Sequence, residues 1–127
     1  MLKRRVFGRL CTGLKHFRRV ASRRKSSYLR FFERRYMKLR DLISIARVVL
    51  SVDEVNSIVR GIRVGLAIVD DSIFDRVEVE PKIRESEPKP KYMDNLMTIA
   101  DNLANYFRIL LRDNPRSFRE ELRRFRK

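Results

Sequence analysis

Acid is missing from the first thirty-two residues. The first forty hold fifteen Lys and Arg against the single acid Glu33, a local net charge of +14. The whole 127-residue chain carries 31 basic and 16 acidic residues, a net +15, so nearly all of the excess sits in one N-terminal arm. Tryptophan and glutamine do not occur. One cysteine, Cys11, excludes an internal disulfide and with it a disulfide-stapled secreted scaffold. No run approaches the roughly 18–20 uncharged apolar residues that cross a bilayer, and the best candidate, Leu42–Leu50, is short and broken by Arg47. His16 is the only histidine, and no Cys/His set has zinc spacing. Gly61 and Gly65 stand too close together for a phosphate-binding glycine loop. Asp70, Asp71 and Asp75 form the one tight carboxylate cluster. A solvated helix end, or an arginine partner across subunits, is the favoured reading of it over a Mg²⁺ site. The expectation is therefore a chain with no catalytic residues, no cofactor and no metal, and not an enzyme.

The charge that is present is sorted. Residues 41–80 hold four basic and eight acidic residues, and residues 108–127 eight basic and three acidic. Such sorting presents a cationic surface to a polyanion. Arginine outnumbers lysine 23 to 8, which suits phosphate, because a planar guanidinium grips two oxygens at once.

Apolar spacing predicts an all-α chain: a basic N-terminal helix-turn-helix arm followed by a small helical bundle. Leu2, Val6, Leu10, Leu14, Phe17 and Ala21 recur every three or four residues, predicting a helix over 2–25 with Phe7 and Cys11 widening its stripe. Gly8 and Gly13 weaken it and let it curve. Ser26 and Ser27 break the pattern and supply a cap for a second helix. That helix is lined by Tyr28, Phe32, Tyr36, Leu39, Ile43, Ala46 and Leu50. Ser51 and Glu54 have capping-box spacing and open a third helix over 52–75, lined by Val55, Ile58, Val59, Ile62, Leu66, Val69 and Ile73. A buried strand over 63–69 is the competing reading there. Residues 77–91, with Pro81, Pro88 and Pro90, predict a linker, with a short extended piece around Val77 and Val79. A fourth helix follows over 92–112, and a fifth starts at Pro115 with Asn114 as its cap. The division expected is an arm at 1–40 and a body at 41–127.

A +14 arm has three readings. One is an idle solvated face. Another is a membrane-surface helix that inserts Phe7, Phe17, Phe31 and Phe32. The third is a nucleic-acid clamp. Geometry favours the clamp: about 22 helical residues span about 33 Å, close to one turn of duplex at about 34 Å. The candidate phosphate contacts are Arg4, Arg5, Arg9, Lys15, Arg18, Arg19, Arg23, Arg24, Lys25, Arg30, Arg34, Arg35 and Lys38. Contacts of this kind set position without reading sequence. The opposite apolar stripe then calls for partners, since a small body covers only part of it, and the arms of neighbouring subunits are expected to pack together.

This layout, with its arm at 2–40 split at Ser26-Ser27 and a helical body from Leu42 to Lys127, resembles the major coat proteins of filamentous archaeal viruses, the rudivirus, lipothrixvirus and tristromavirus group. The resemblance rests on layout across the whole chain rather than on a signature peptide. It implies a virion subunit whose arm wraps double-stranded DNA held in A-form. It also implies a helical wall built with further copies or a paralogous coat subunit. The alternatives are a ribosomal or other ribonucleoprotein subunit and a basic amphipathic membrane-surface protein.

Overall fold

The computed structural model describes Arg9, residues 11–43 and residues 47–125. The chain is predominantly helical with one small two-stranded sheet. Its helices are α1 (Lys25–Leu39), α2 (Val52–Arg60), α3 (Lys91–Asp113) and α4 (Pro115–Arg123), and its strands β1 (Ala67–Val69) and β2 (Lys82–Arg84). Packing separates two units, Met1–Arg47 with Pro90–Lys127, and Val48–Lys89. The segment of the arm falls in the same unit as the two C-terminal helices.

In the larger unit α1 forms because Tyr28, Phe32, Tyr36 and Leu39 line one side, and all four are buried. They meet α3 through aromatic pairs: Phe32–Tyr106 edge-on at 5.9 Å, Tyr36–Tyr106 at 5.0 Å and Tyr36–Phe107 edge-on at 5.8 Å. Phe107 continues to Phe118 of α4 at 6.2 Å. Each such pair adds about 0.5–1.5 kcal/mol beyond burial itself. Phe32 has no exposed surface, so Phe32→Ala costs about 3–5 kcal/mol. Glu121 of α4 closes the unit: it accepts a hydrogen bond from Tyr36 Oη at 2.6 Å and pairs with Arg40 at 3.3 Å and Arg124 at 3.4 Å.

The helix expected over 2–25 does not run through the described residues. Residues 2–8 and 10 lie outside them. Beyond Cys11 the chain turns at Thr12–Gly13, with Gly13 at φ 82, a conformation that L side chains resist. Residues 14–16 have no regular structure and are followed by single 3₁₀ turns at Phe17–Arg19 and Ser22–Arg24. Hydrogen bonds from distant residues hold this course. Tyr28 Oη accepts from Lys15 N–H and donates to Lys15 C=O, both at 2.9 Å. Asn102 Nδ2 donates to the same carbonyl at 2.8 Å, and Phe17 N–H donates to Asp101 Oδ2 at 2.7 Å. A helix would have to break all four. The hinge expected at Ser26-Ser27 also shifts: both serines lie in the first turn of α1, whose N-cap, Arg24, makes no side-chain bond.

The second helix is shorter than its stripe. It ends in a 3₁₀ turn at Arg40–Leu42, and Ile43 is extended. Residues 44–46 lie outside the described ones. Leu50, expected on the core stripe, is 89% exposed. The smaller unit overturns the helix over 52–75. Ser51 caps α2 by accepting from Glu54 N–H at 3.2 Å, but the helix stops at Gly61. A parallel pair replaces its second half, registered Ala67–Lys82, Ile68–Ile83 and Val69–Arg84. β-Branched residues favour this pleated surface, and residues 70–81 give the dozen that a parallel crossover needs. Ile62 and Leu66 are exposed in consequence. Val69, Val77 and Val79 form the buried core of the unit, packed with Val52, Val55 and Val59 of α2. The expected linker at 77–91 therefore supplies two core valines and a strand. Asn56 ties α2 to it, donating to Arg76 C=O at 3.0 Å and accepting from Glu78 N–H at 2.8 Å. The two C-terminal helices form where expected, and Asn114 caps α4 by accepting from Ser117 N–H at 3.2 Å.

Candidate nucleic-acid interface

Charge separates by unit more sharply than by arm. The segments of the larger unit carry 25 basic and 7 acidic residues, +18, and the smaller unit 6 and 9, −3. Within the larger unit α1 is two-sided. Its aromatic side is buried, while Arg30, Arg34 and Lys38, four residues apart, are exposed on the opposite side. Ahead of it Arg9, Lys15, Arg18, Arg19, Arg23 and Arg24 are exposed as well. Glu33 is the one acid of this stretch, so nothing local neutralises it.

Two candidate contacts are used inside the fold. Lys25 is half-buried with Nζ 4.4 Å from the Phe17 ring centroid. Arg35 donates to Arg9 C=O at 2.9 Å and lies over Phe31 at 5.2 Å. Both hold the irregular stretch against α1, so their charge contributes to the field more than to direct contact. Arg4 and Arg5 lie outside the described residues.

The turn at Gly13 and the two 3₁₀ turns gather four of the exposed cations. Lys15, Arg19, Arg23 and Arg24, with Ser27 and Phe31, line an open cleft of about 690 Å³. Among the described residues none of these four cations has an acidic partner. Sequence reasoning scattered them along a helix and missed the cleft. Arg119 and Arg123 of α4 are exposed in the same unit as α1, whereas Arg116 is paired with Glu120 at 3.2 Å. The run of eight basic residues over 108–127 was the signal for them.

The remaining polar groups are engaged structurally. Burial pushes the Cys11 thiol up, against the lowering effect of Arg35 and Lys91, so it stays a protonated apolar residue. His16 Nδ1 lies 3.9 Å from Asp101 Oδ2. Asp70, Asp71 and Asp75 do not share a helix face. Hydrogen bonds from Ser72 hold Asp70 below the usual carboxylate range, and one from Ser86 does the same for Asp71. Asp75 meets Arg84 at 3.5 Å. Among the described residues no three metal-ligating side chains converge, and no helix is long and apolar enough to cross a membrane. Comparison with protein-family models, with curated proteins and with solved structures finds no match to this chain.

Proposed function

We propose that this chain is a structural nucleoprotein subunit that binds double-stranded nucleic acid, DNA foremost, through its phosphates and coats it as part of a helical filament or virion. One observation carries the reading: in a unit whose segments carry a net +18, Arg18, Arg19, Arg23, Arg24, Arg30, Arg34 and Lys38 are exposed while the aromatic side of α1 is buried. Contacts from such a face are to backbone, so binding is independent of sequence. With about eight phosphates neutralised, affinity falls with salt at a log–log slope near −7. The arm at 1–40 is the wrapping element in this reading. Leu96, Ala100, Ala104 and Leu111, exposed along one side of α3, offer an apolar strip where neighbouring copies meet. The protein performs no chemistry of its own and resides in the assembled particle.

A ribonucleoprotein subunit is the second reading. It is favoured by the irregular course of residues 12–24, which resembles an extension shaped to a partner more than a straight wrapping helix. A membrane-surface role is disfavoured, because Phe17 and Phe32, expected to insert, are buried in the core.

The deciding experiment mixes purified protein with linear duplex DNA at low salt and images the product. Long, regularly striated filaments support the coat; discrete small complexes, or binding confined to structured RNA, overturn it. Charge reversal of Arg18, Arg19, Arg23 and Arg24 together is expected to abolish filaments while the helical circular-dichroism signal persists.

A further inference from the structure

The cleft formed by Lys15, Arg19, Arg23 and Arg24 is not shaped for a duplex. A duplex presents its phosphates on a convex rod and hides the faces of its bases in the stack. This site is an open cleft of about 690 Å³, room for a small ligand to lie along it. Four cations without acidic partners among the described residues surround it, and a concave site focuses their field. Three are arginines, each able to grip two oxygens of one phosphate. The Ser27 hydroxyl adds a neutral donor. Phe31 forms part of the wall, half-buried, its ring kept in place by Arg35 and by contact with the Gly13 turn. An aromatic wall beside an oligocation suits a ligand that joins several negative charges to an unstacked base.

We propose that this cleft binds a chain of linked phosphates that carries a base: a nucleoside triphosphate, or the 5′-triphosphate end of a nucleic-acid strand. The phosphate chain lies among Lys15, Arg19, Arg23 and Arg24, and the base lies along Phe31. The inference stands on the cleft alone and does not require that the chain coat duplex DNA.

Isothermal titration calorimetry of the full chain with ATP, tripolyphosphate and adenosine tests it. ATP is expected to saturate one site per chain, with tripolyphosphate about tenfold weaker and adenosine weaker still. Arg19→Ala with Arg23→Ala should weaken ATP about tenfold or more. Arg108→Ala with Arg116→Ala removes the same charge elsewhere on the unit and should change the affinity less than about twofold. All four side chains are exposed, so neither pair threatens the fold. Equal weakening by the two pairs, or many ATP bound per chain without saturation, reduces the cleft to diffuse attraction and overturns the proposal. Equal affinity for ATP and tripolyphosphate overturns the base contact at Phe31. Competition against labelled ATP by one RNA oligomer bearing a 5′-triphosphate or a 5′-hydroxyl identifies the source: displacement by the first alone, below the ATP concentration needed, marks a strand end, and stronger displacement by ATP marks the free nucleotide. A chain that saturates with ATP yet forms no filaments keeps this site and loses the coat; filaments without saturable ATP binding do the reverse.

Discussion

Glu120 and Glu121 are neighbours in sequence, yet the fold gives them opposite weight. Glu120 faces Arg116 one turn away with both side chains well exposed, 59% and 86%. Such a pair is worth about 0–0.5 kcal/mol. Glu121 and Arg40 are each only 19% exposed, and Glu121 also accepts the hydroxyl of Tyr36, which is 1% exposed. Glu121→Ala therefore leaves a buried phenol without its acceptor, at about 1–3 kcal/mol. It also strips Arg40 of its counter-charge. That loss costs about 3–5 kcal/mol in a fully buried pair and about 1–2 kcal/mol here, where some water reaches both partners. The sum is about 2–5 kcal/mol, a large part of the stability of a small domain. Glu121→Gln keeps an acceptor for Tyr36 and loses only the charge, so it falls between. The assay is urea unfolding followed by tyrosine near-ultraviolet circular dichroism. All four tyrosines lie in the larger unit and tryptophan is absent, so this signal reports that unit alone. If Glu121→Ala matches Glu120→Ala within about 0.5 kcal/mol, the network does not join α1 to α4 as described.

Alkali should unfold the same unit. Burial raises the phenol pKa of Tyr28, Tyr36 and Tyr106, and the bond to anionic Glu121 adds to the effect at Tyr36. The folded state thus keeps protons that the unfolded chain releases near pH 10. Stability is complete below about pH 10 and declines as pH rises toward the folded values, by up to about 1.4 kcal/mol per pH unit for each tyrosine. Urea midpoints that stay flat from about pH 9 to 11 refute this. Gly13→Ala should cost about 1–2 kcal/mol, because φ 82 strains an L residue and the new Cβ meets Phe31 Cζ at 3.3 Å. Gly61→Ala, with an ordinary φ of −89, should be neutral or slightly stabilising, and thermal melts compare the two. Replacing Arg30, Arg34 and Lys38 by Ala should flatten the salt slope of duplex binding by about 2.7, read from titrations at several salt concentrations. An unchanged slope removes that face from the interface.

Where structure is set by neighbours in the chain, the sequence was legible. The Ser51 and Asn114 caps, the long period of α3 and the aromatic stripe of α1 are local patterns, and each forms where its residues stand. The helix over 2–25 fails beyond Cys11 because Asp101 and Asn102, more than eighty residues away, offer bonds to the backbone of Lys15 and Phe17 that no local period reveals. The helix over 52–75 fails because pairing with residues 82–84 outweighs a 3.6 period that continues in the sequence. The candidate interface divides in the same way. A basic face on α1 follows from spacing alone. The cleft needs the Gly13 turn and two 3₁₀ turns, and the addition of Arg119 and Arg123 needs α4 folded into the same unit.

The apolar stripe of the arm was the reason to expect neighbouring subunits, and two of its residues, Cys11 and Phe17, are buried within one chain while Ala21 is exposed. Cys11, Phe17, Val20, Phe32, Tyr36 and Leu39 share a core with Ile99 and Phe125. In the proposed nucleoprotein, folding of residues 11–39 therefore does not wait for assembly, and the cost of ordering this stretch is met before any polyanion arrives. Binding of preordered arginines is stronger per contact than binding coupled to folding. The segments of this unit carry +18, which opposes compactness, and a bound phosphate rod relieves that repulsion. Duplex should accordingly raise the urea midpoint read by the tyrosines, and salt should erase the gain. The smaller unit, at −3, has no such repulsion to relieve. Assembly needs an apolar surface between copies, and among the described residues the strip from Leu96 to Leu111 is the surface to alter: Leu96→Glu with Leu111→Glu should leave duplex affinity of dilute protein nearly intact and abolish filaments. Filaments that survive both changes place the subunit contact elsewhere.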